Sequence, residues 1–95
     1  MIVELVKDNL EEYMDVENLL VVYTQRSCGA CETLKPYLFE LDKKWSVVIV
    51  EAIKYPKSSN FMPGGLTYYP TIGLFERGYF IKEINFNSII NKSFK

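Results

Sequence analysis

Residues 23–31 read YTQRSCGAC and hold both cysteines of the chain, Cys28 and Cys31. The stretch lies between an apolar run and a pattern typical of a helix. The first turn of a helix presents unpaired N–H groups and the positive end of the helix dipole, and both favour a thiolate over a thiol. A free cysteine has a pKa of about 8.5, whereas a C-x-x-C cysteine at a helix start can have one of about 7 or below. We therefore expect Cys28 to be a nucleophile.

The spacing of the two cysteines predicts a role for the second one. Gly29 and Ala30 carry the chain through roughly one helical turn, which brings Cys31 close to Cys28 so that it can attack a mixed disulfide formed there. The redox-active disulfide then replaces any cofactor. A zinc site and an inert buried pair are the alternatives. Zinc takes four ligands, and a chain with no histidine and no third cysteine predicts no metal.

Length and composition limit the functional classes. Ninety-five residues predict one domain, residues 1–95, with a modest core and at most one active site. The formal net charge is -1 and the cations are scattered, so we expect neither a nucleic acid nor a membrane as partner. Residues 1–8 do not read as a secretory signal. This predicts a cytoplasmic protein, in which a disulfide is usually transient and catalytic.

The chain before the cysteines predicts the order β, α, β. Residues 2–6 resemble a short strand. Asp8 is placed to cap an amphipathic helix around residues 10–14, with an apolar face and acidic residues opposite. Residues 19–23 read LLVVY, a continuous apolar run that indicates a strand buried on both faces of a parallel sheet. This strand leads directly to the cysteines.

The chain after the cysteines predicts a helix, a strand, a loop, a hairpin and a last helix. The first helix runs from Cys28 to about Lys43 with Pro36 inside it, and a buried strand follows at residues 45–50. Between residues 55 and 69 we expect an irregular loop with at best one short helical turn. Antiparallel strands at 71–75 and 79–84 flank a tight hairpin turn at residues 76–78, which read ERG, with the glycine where a positive φ is expected.

The last element is predicted from helical spacing of apolar residues. Phe86, Ile89, Ile90 and Phe94 fall on one face of a helix. Either Asn85 or Asn87 can cap it, because asparagine side chains accept hydrogen bonds from the first free N–H groups.

The chain resembles the thioredoxin superfamily over nearly its whole length. Four landmarks occur in the family's order, namely CGAC at a helix start, Pro36, the run Tyr69-Pro70-Thr71, and Gly78. The resemblance implies an α/β thioredoxin fold, with a mixed sheet of four to five strands flanked by helices, in the order βαβαβ-loop-ββα. In the family the proline matching Pro70 is cis and lies beside the nucleophile, and the residue matching Tyr69 pairs with the substrate. The resemblance therefore implies that Tyr69, Pro70, Gly29 and Ala30 bind substrate.

Some positions depart from the family pattern. Typical thioredoxins read WCGPC, whereas Ser27 and Ala30 stand here in place of the tryptophan and the proline. Thioredoxins also carry a buried aspartate six residues before the first cysteine, where this chain has Val22. Glu51, near the end of the central strand, is a candidate to assist proton transfer instead, or else a solvated strand end. Arg26 either lowers the pKa of Cys28 or is a solvated loop residue.

Residues 21–24, VVYT, and the short length are more similar to a glutaredoxin. Glutaredoxins usually have a Gly-Gly-Asp-like segment that holds a glutathione carboxylate. The corresponding residues 84–87 read INFN and have no glycine pair. The resemblance is therefore mixed, glutaredoxin-like before the cysteines and thioredoxin-like after Pro70.

The sequence predicts a small monomeric thiol–disulfide oxidoreductase that reduces protein disulfides. By the resemblance, thioredoxin reductase or glutathione regenerates it, and ribonucleotide reductase is a client. Two alternatives remain. One is a binding module of thioredoxin fold that uses the Tyr69–Pro70 edge and residues 61–69 and has no need of its cysteines. The other keeps the enzyme and reverses its direction, giving an oxidase or an isomerase.

Overall fold

The structure is a computed structural model that describes residues 1–93. Its strands and helices are β1 (Ile2–Glu4), β2 (Leu19–Thr24), α1 (Gly29–Phe39), β3 (Ser46–Glu51), β4 (Thr71–Glu76), β5 (Tyr79–Ile84) and α2 (Phe86–Ile90). Two short 3-10 helices lie at Leu10–Tyr13 and Ser58–Phe61. The α/β architecture predicted from the sequence is confirmed.

The mixed sheet has the strand order β1-β3-β2-β4-β5. Its centre is β2, in which all six residues are buried, as the continuous apolar run predicts. β2 pairs in parallel with β3 and antiparallel with β4, while β1 and β5 form the two edges. At the end of β2, Thr24 lies opposite Glu51 of β3, and Tyr23 lies opposite Thr71 of β4. The chain therefore leaves β2 between the end of β3 and the start of β4.

Each face of the sheet carries its own apolar cluster. On one face α1 and α2 contribute Leu34, Leu38 and Ile89, all buried against the sheet. On the other face the two 3-10 helices and the connecting loops supply the cover, including Leu10 and Met62. Burying apolar area on both faces stabilises a sheet that would otherwise leave one side in water.

A buried serine joins the two 3-10 helices to the sheet. Ser58 is fully buried, and its hydroxyl oxygen accepts a hydrogen bond of 3.1 Å from the backbone N–H of Leu10. Its carbonyl accepts one of 2.8 Å from the hydroxyl of Tyr23. Burial raises the pKa of Tyr23, so this hydroxyl stays protonated and remains a donor. Hydrogen bonds as well as packing therefore hold the two 3-10 helices over the apolar cluster that contains Leu10 and Met62.

The prediction of an amphipathic helix around residues 10–14 is wrong, because no α-helix forms there. The chain forms only a 3-10 turn there, although Leu10 and Met14 are buried as their spacing predicts. Asp8 does not cap this turn. Its carboxylate instead accepts hydrogen bonds from the backbone N–H groups of Ser58, at 2.7 Å, and Lys57, at 3.0 Å. Without a side-chain cap, and with its first N–H bonded to a distant serine, the segment does not extend into an α-helix.

The helix predicted to reach Lys43 ends at Phe39. Asp42 explains the early end, because its carboxylate accepts a hydrogen bond of 3.3 Å from the backbone N–H of Lys44. Such a local side-chain bond competes with helical hydrogen bonding and favours a turn. Leu41, beyond the helix, still packs against the apolar cluster under α1. Pro36 lies inside the helix as expected.

The C-terminal half matches the sequence pattern closely. The β4–β5 hairpin turns through Arg77 and Gly78, whose φ values of 47° and 88° place both in the left-handed region. Two consecutive residues there form the turn that suits a twisted hairpin. Asn85, rather than Asn87, caps α2, since its side chain accepts a hydrogen bond from the backbone N–H of Asn87. The prediction for Phe94 lies outside the described residues.

Replacing Asp8 with alanine should lower thermal stability at neutral pH and have less effect in acid. Desolvation alone would raise the pKa of Asp8, but hydrogen bonds from Ser58 and Lys57 outweigh it and hold the pKa below the usual 3.8. A carboxyl with a lowered folded pKa contributes stability above its unfolded pKa and loses it as pH falls through the folded one. Melting curves of both proteins at about pH 7 and about pH 2.5 measure this difference. The prediction is contradicted if the difference in Tm between the two proteins is as large at about pH 2.5 as at about pH 7.

Candidate active site

The end of β2 and the start of α1 position the two cysteines. Residues 25–27 connect the two elements and are exposed, and Ser27 has a φ of 57°. Cys28 follows as the N-cap residue of α1 in an extended conformation, with φ -100° and ψ 102°. The helix itself begins at Gly29, so the first sulfur lies where the free N–H groups of the helix point.

Cys28 and Cys31 form a disulfide, with their Cα atoms 5.2 Å apart. The Sγ atom of Cys28 also accepts a hydrogen bond of 3.1 Å from the backbone N–H of Cys31. Cys28 is partly exposed, whereas Cys31 is 1% exposed. An incoming reagent can therefore reach the first sulfur from solvent but not the second. That Cys28 attacks and Cys31 resolves stays a prediction, and this difference in exposure favours it.

The sheet face under α1 is apolar near the cysteine end of β2. Val22 and Ile49 lie opposite each other on β2 and β3, and both belong to the cluster that packs under α1. Val22 is 1% exposed, so the position where thioredoxins carry a buried aspartate is filled by a buried hydrocarbon side chain.

The two residues predicted to tune the site are brought together. Nε of Arg26 lies 3.8 Å from Oε2 of Glu51, and their side chains are 86% and 35% exposed. Such an exposed pair interacts weakly, because water and salt screen it. Glu51 occupies the end of β3 and lines the same cleft as Cys28.

A cleft of about 690 Å³ opens beside Cys28, on the side of β3 and β1. Its wall includes three cations and three carboxylates, namely Arg26, Lys35, Lys54, Glu4, Glu32 and Glu51. Lys35 is held between two of the acids, with Nζ 3.3 Å from Glu4 and 3.2 Å from Glu32. The hydrogen bond from Lys35 to Glu32 raises the pKa of that lysine and outweighs its desolvation, so it remains charged.

Sequence reasoning did not find this cleft. Glu4 and Glu51 are the last residues of β1 and β3, which pair in parallel. The carboxyl ends of parallel strands meet at one edge of a sheet, and ligands of α/β proteins bind there. The predicted strands 2–6 and 45–50 do not end in glutamate, and only the observed bounds place Glu4 and Glu51 at strand ends. The order β1-β3-β2, which makes these ends neighbours of the cysteines, is a property of the tertiary structure.

The other side of the cysteine turn carries the proline segment. The peptide bond between Tyr69 and Pro70 is cis. Pro70 is buried and Tyr69 partly buried, directly before β4. Because Thr71 pairs with Tyr23, the proline lies at the same end of the sheet as the cysteine turn, across β2 from Glu51. Both proposed substrate-binding elements therefore occupy one end of the molecule.

Residues 61–68 before the proline divide into exposed and buried parts. Phe61 and Tyr68 are 36% and 54% exposed, and the hydroxyl of Tyr68 donates a hydrogen bond to the carboxylate of Glu83. Met62 is instead buried against Gly73. A Cβ atom at Gly73 would lie 2.8 Å from the Met62 sulfur, so the glycine makes room for the methionine. Met62 thus covers the core and is not part of the exposed surface.

Two features are absent from residues 1–93 of the structure. That part of the chain holds no group of three or more His, Cys, Asp or Glu side chains arranged to bind a metal ion. None of its helices has both the length and the apolar character needed to cross a membrane.

The mixed sheet, the flanking helices and a C-x-x-C disulfide at the start of α1 define a protein of thioredoxin fold. The thioredoxin family model matches residues 1–93, and the chain belongs to that family. No curated protein sequence matches it significantly.

Solved thioredoxin structures share the fold at low sequence identity. Oxidised mitochondrial thioredoxin 3 of Saccharomyces cerevisiae is 21% identical with a TM-score of 0.73, over 96% of this chain and 92% of its own. The reduced thioredoxin pre-protein of Schistosoma mansoni is 20% identical with a TM-score of 0.75, over 96% and 93%. Thioredoxin f2 of Chlamydomonas reinhardtii is 19% identical with a TM-score of 0.76, over 97% and 93%. At these identities the likeness demonstrates a common fold.

Proposed function

We propose that the protein is a thiol–disulfide oxidoreductase that reduces disulfides of other proteins. The observation that carries the proposal is the asymmetry of the pair. Cys28 is partly exposed at the N-cap of α1 and accepts a hydrogen bond from the Cys31 N–H, while Cys31 is buried directly behind it. After reduction, the helix terminus and this N–H both favour a thiolate at Cys28.

The reaction transfers two electrons to the client. The thiolate of Cys28 attacks one sulfur of the client disulfide, that disulfide breaks, and the other client sulfur leaves as a thiolate that takes up a proton. Cys31, after losing its proton, attacks the Cys28 sulfur of the mixed disulfide. The Cys28–Cys31 bond forms and the second client thiol is released. The client is reduced, and the enzyme is oxidised to the disulfide state described above.

The surroundings of the cysteines give a client room to approach. Gly29 and Ala30 are exposed, and a Cβ atom at Gly29 would have nothing within 4 Å. Tyr69 and Pro70 end the loop at the other side of the turn, where the backbone of Tyr69 pairs with an extended client segment. Gly29, Ala30, Tyr69 and Pro70 thus bind the client, while Arg26 and Glu51 tune the charge near Cys28.

The wider setting of the reaction follows from the same proposal. The protein works as a cytoplasmic monomer without a further cofactor. Thioredoxin reductase or glutathione returns it to the dithiol state, and ribonucleotide reductase is one client.

The proposal is tested by reduction of insulin disulfides with dithiothreitol as the electron source. The protein should shorten the time to insulin precipitation relative to dithiothreitol alone, because its helix-start thiolate exchanges faster than a free thiol at neutral pH. A variant with both Cys28→Ser and Cys31→Ser is the matched control. If the wild-type protein is no faster than this control, it is not a general protein disulfide reductase.

A second candidate function is a binding module that needs no cysteine chemistry. The observation in its favour is that Phe61 and Tyr68 remain exposed next to the Tyr69–Pro70 segment. The same double Cys→Ser variant separates the two functions. A binding module retains its partner when both cysteines are serine, whereas a reductase loses its activity.

A further inference from the structure

The cleft beside Cys28 contains charged groups that the fold does not use. Lys35 and Glu4 join α1 to β1 through their ion pair and are occupied. Arg26 contacts Glu51 only through Nε, at 3.8 Å, and within residues 1–93 its two terminal nitrogens have no ion pair or hydrogen bond. Lys54 lies over the ring of Tyr55, with Nζ 5.6 Å from the centroid, and forms no ion pair in the same part of the chain. Two cations are therefore free to bind a ligand.

The size and extent of the cleft suit a small molecule. Its volume of about 690 Å³ lies within the range of roughly 300–1,000 Å³ occupied by small-molecule sites. A second depression of about 360 Å³ continues from it and shares Arg26, Glu51 and Lys54. The wall thus runs from the Cys28 sulfur past the Arg26–Glu51 pair to Lys54. A cleft and a depression of these volumes can hold a ligand of two or three residues.

The charge pattern selects the kind of ligand. Arg26 and Lys54 present N–H groups that bind carboxylates, and Glu51 presents a carboxylate that binds an ammonium group. A molecule with both charges of its own matches this wall, whereas a neutral thiol has nothing to bind there. Because Cys28 lines the inner end, the bound molecule must also be able to react with a sulfur.

We infer that this cleft binds the reductant that regenerates the enzyme, a short peptide thiol with ammonium and carboxylate groups. Lys54 and Arg26 hold its carboxylates and Glu51 holds its ammonium group. The client protein then occupies the opposite side of the turn, beside Tyr69 and Pro70. This inference rests on the proposed function, because only a redox-active pair needs to be regenerated.

The regeneration step balances with two molecules of the thiol. The thiolate of the first attacks Cys28 Sγ, the Cys28–Cys31 bond breaks, and Cys31 leaves as a thiolate and takes up a proton. The thiolate of the second attacks the peptide sulfur of the mixed disulfide and releases Cys28. The peptide is oxidised to its disulfide and the protein gains two electrons. Cys31 cannot be attacked first, because it is 1% exposed.

The experiment compares glutathione with 2-mercaptoethanol as reductants of the oxidised protein. Free thiols are alkylated at set times and counted by mass spectrometry. With the wild-type protein the rate should saturate with glutathione and rise linearly with 2-mercaptoethanol. Lys54→Glu should slow the glutathione reaction about tenfold, since a bound carboxylate then faces a like charge. The 2-mercaptoethanol rate should stay within about twofold, because the neutral thiol does not use the charged wall.

Matched controls separate binding from other effects. Lys43→Glu changes an exposed lysine that does not line the cleft and should leave both rates unchanged. Lys54→Arg should restore the glutathione rate. The inference is overturned if Lys54→Glu slows both thiols equally, if it slows neither, or if it slows insulin reduction by dithiothreitol instead, which would assign the cleft to the client. Insulin reduction by the wild-type protein tests the proposed function separately, because dithiothreitol is uncharged.

Discussion

Replacing Cys28 with serine should reduce insulin turnover to the rate of dithiothreitol alone, a loss of at least about a thousandfold in the catalysed reaction. A serine hydroxyl remains protonated at neutral pH and does not exchange with a disulfide. The substitution removes one sulfur from a partly exposed N-cap position, and serine is itself a favoured N-cap residue. Loss of folding is therefore not expected, and a circular dichroism melt of the variant checks this.

Replacing Cys31 with serine should have a different outcome. Cys28 still attacks, but the mixed disulfide then has no internal thiol to resolve it. When the pre-reduced variant is mixed with insulin in the absence of dithiothreitol, a covalent complex with an insulin chain should therefore accumulate. Non-reducing gel electrophoresis shows this complex as a band that dithiothreitol removes. If the complex forms with Cys28→Ser and not with Cys31→Ser, the two roles are reversed. The burial of Cys31 favours Cys28 as the attacking residue, and this experiment decides between the two assignments.

The central strand and the cysteine turn could be predicted because their signals are local. Residues 19–23 are apolar throughout, and this pattern fits a strand with both faces covered. A helical turn brings the two cysteines of a C-x-x-C spacing within disulfide distance, and α1 begins within that spacing. The β4–β5 hairpin and its glycine follow from equally short-range chemistry.

The errors came from side chains whose partners are distant in sequence. Asp8 has the right chemistry to cap a nearby helix, but its carboxylate bonds the backbone about fifty residues later, at Lys57 and Ser58. Nothing in the local sequence distinguishes these two uses of an aspartate. The early end of α1 is a milder case, because Asp42 was visible as a turn former within the predicted helix.

Only part of the candidate site could be predicted, because some of its residues are distant from one another in sequence. Cys28 and Cys31 are three residues apart, and Tyr69 and Pro70 could be identified through the resemblance to a family. Arg26 and Glu51 were singled out separately, and only the pairing of β2 with β3 brings them within ion-pair distance. No feature of the local sequence predicts that Lys54 lies near the cysteines. Its position beside the cysteine turn depends on where β3 ends, and on the loop that follows.

Replacing Phe75 with alanine should lower the free energy of unfolding by about 3–5 kcal/mol. Phe75 is 1% exposed on β4, and its ring packs edge-to-face on Phe80 with the centroids 5.6 Å apart. A Cβ atom at Gly73 would lie 2.9 Å from the Cε1 atom of Phe75, so the ring fills space that the glycine leaves open. Urea titration measures the change, with an unaltered m-value as evidence that both proteins unfold from the same state.

Phe39→Ala is the matched control, because Phe39 is the last residue of α1 and is 68% exposed. It should change the free energy of unfolding by no more than about 0.5 kcal/mol. Small domains are stable by about 5–15 kcal/mol, so Phe75→Ala can be too unstable to isolate, and Phe75→Leu then gives a smaller, measurable loss. Phe75 belongs to the cluster on the sheet face away from α1. The folded variant should therefore reduce insulin at the wild-type rate, and a loss of activity without a loss of stability would contradict the assigned position of the site.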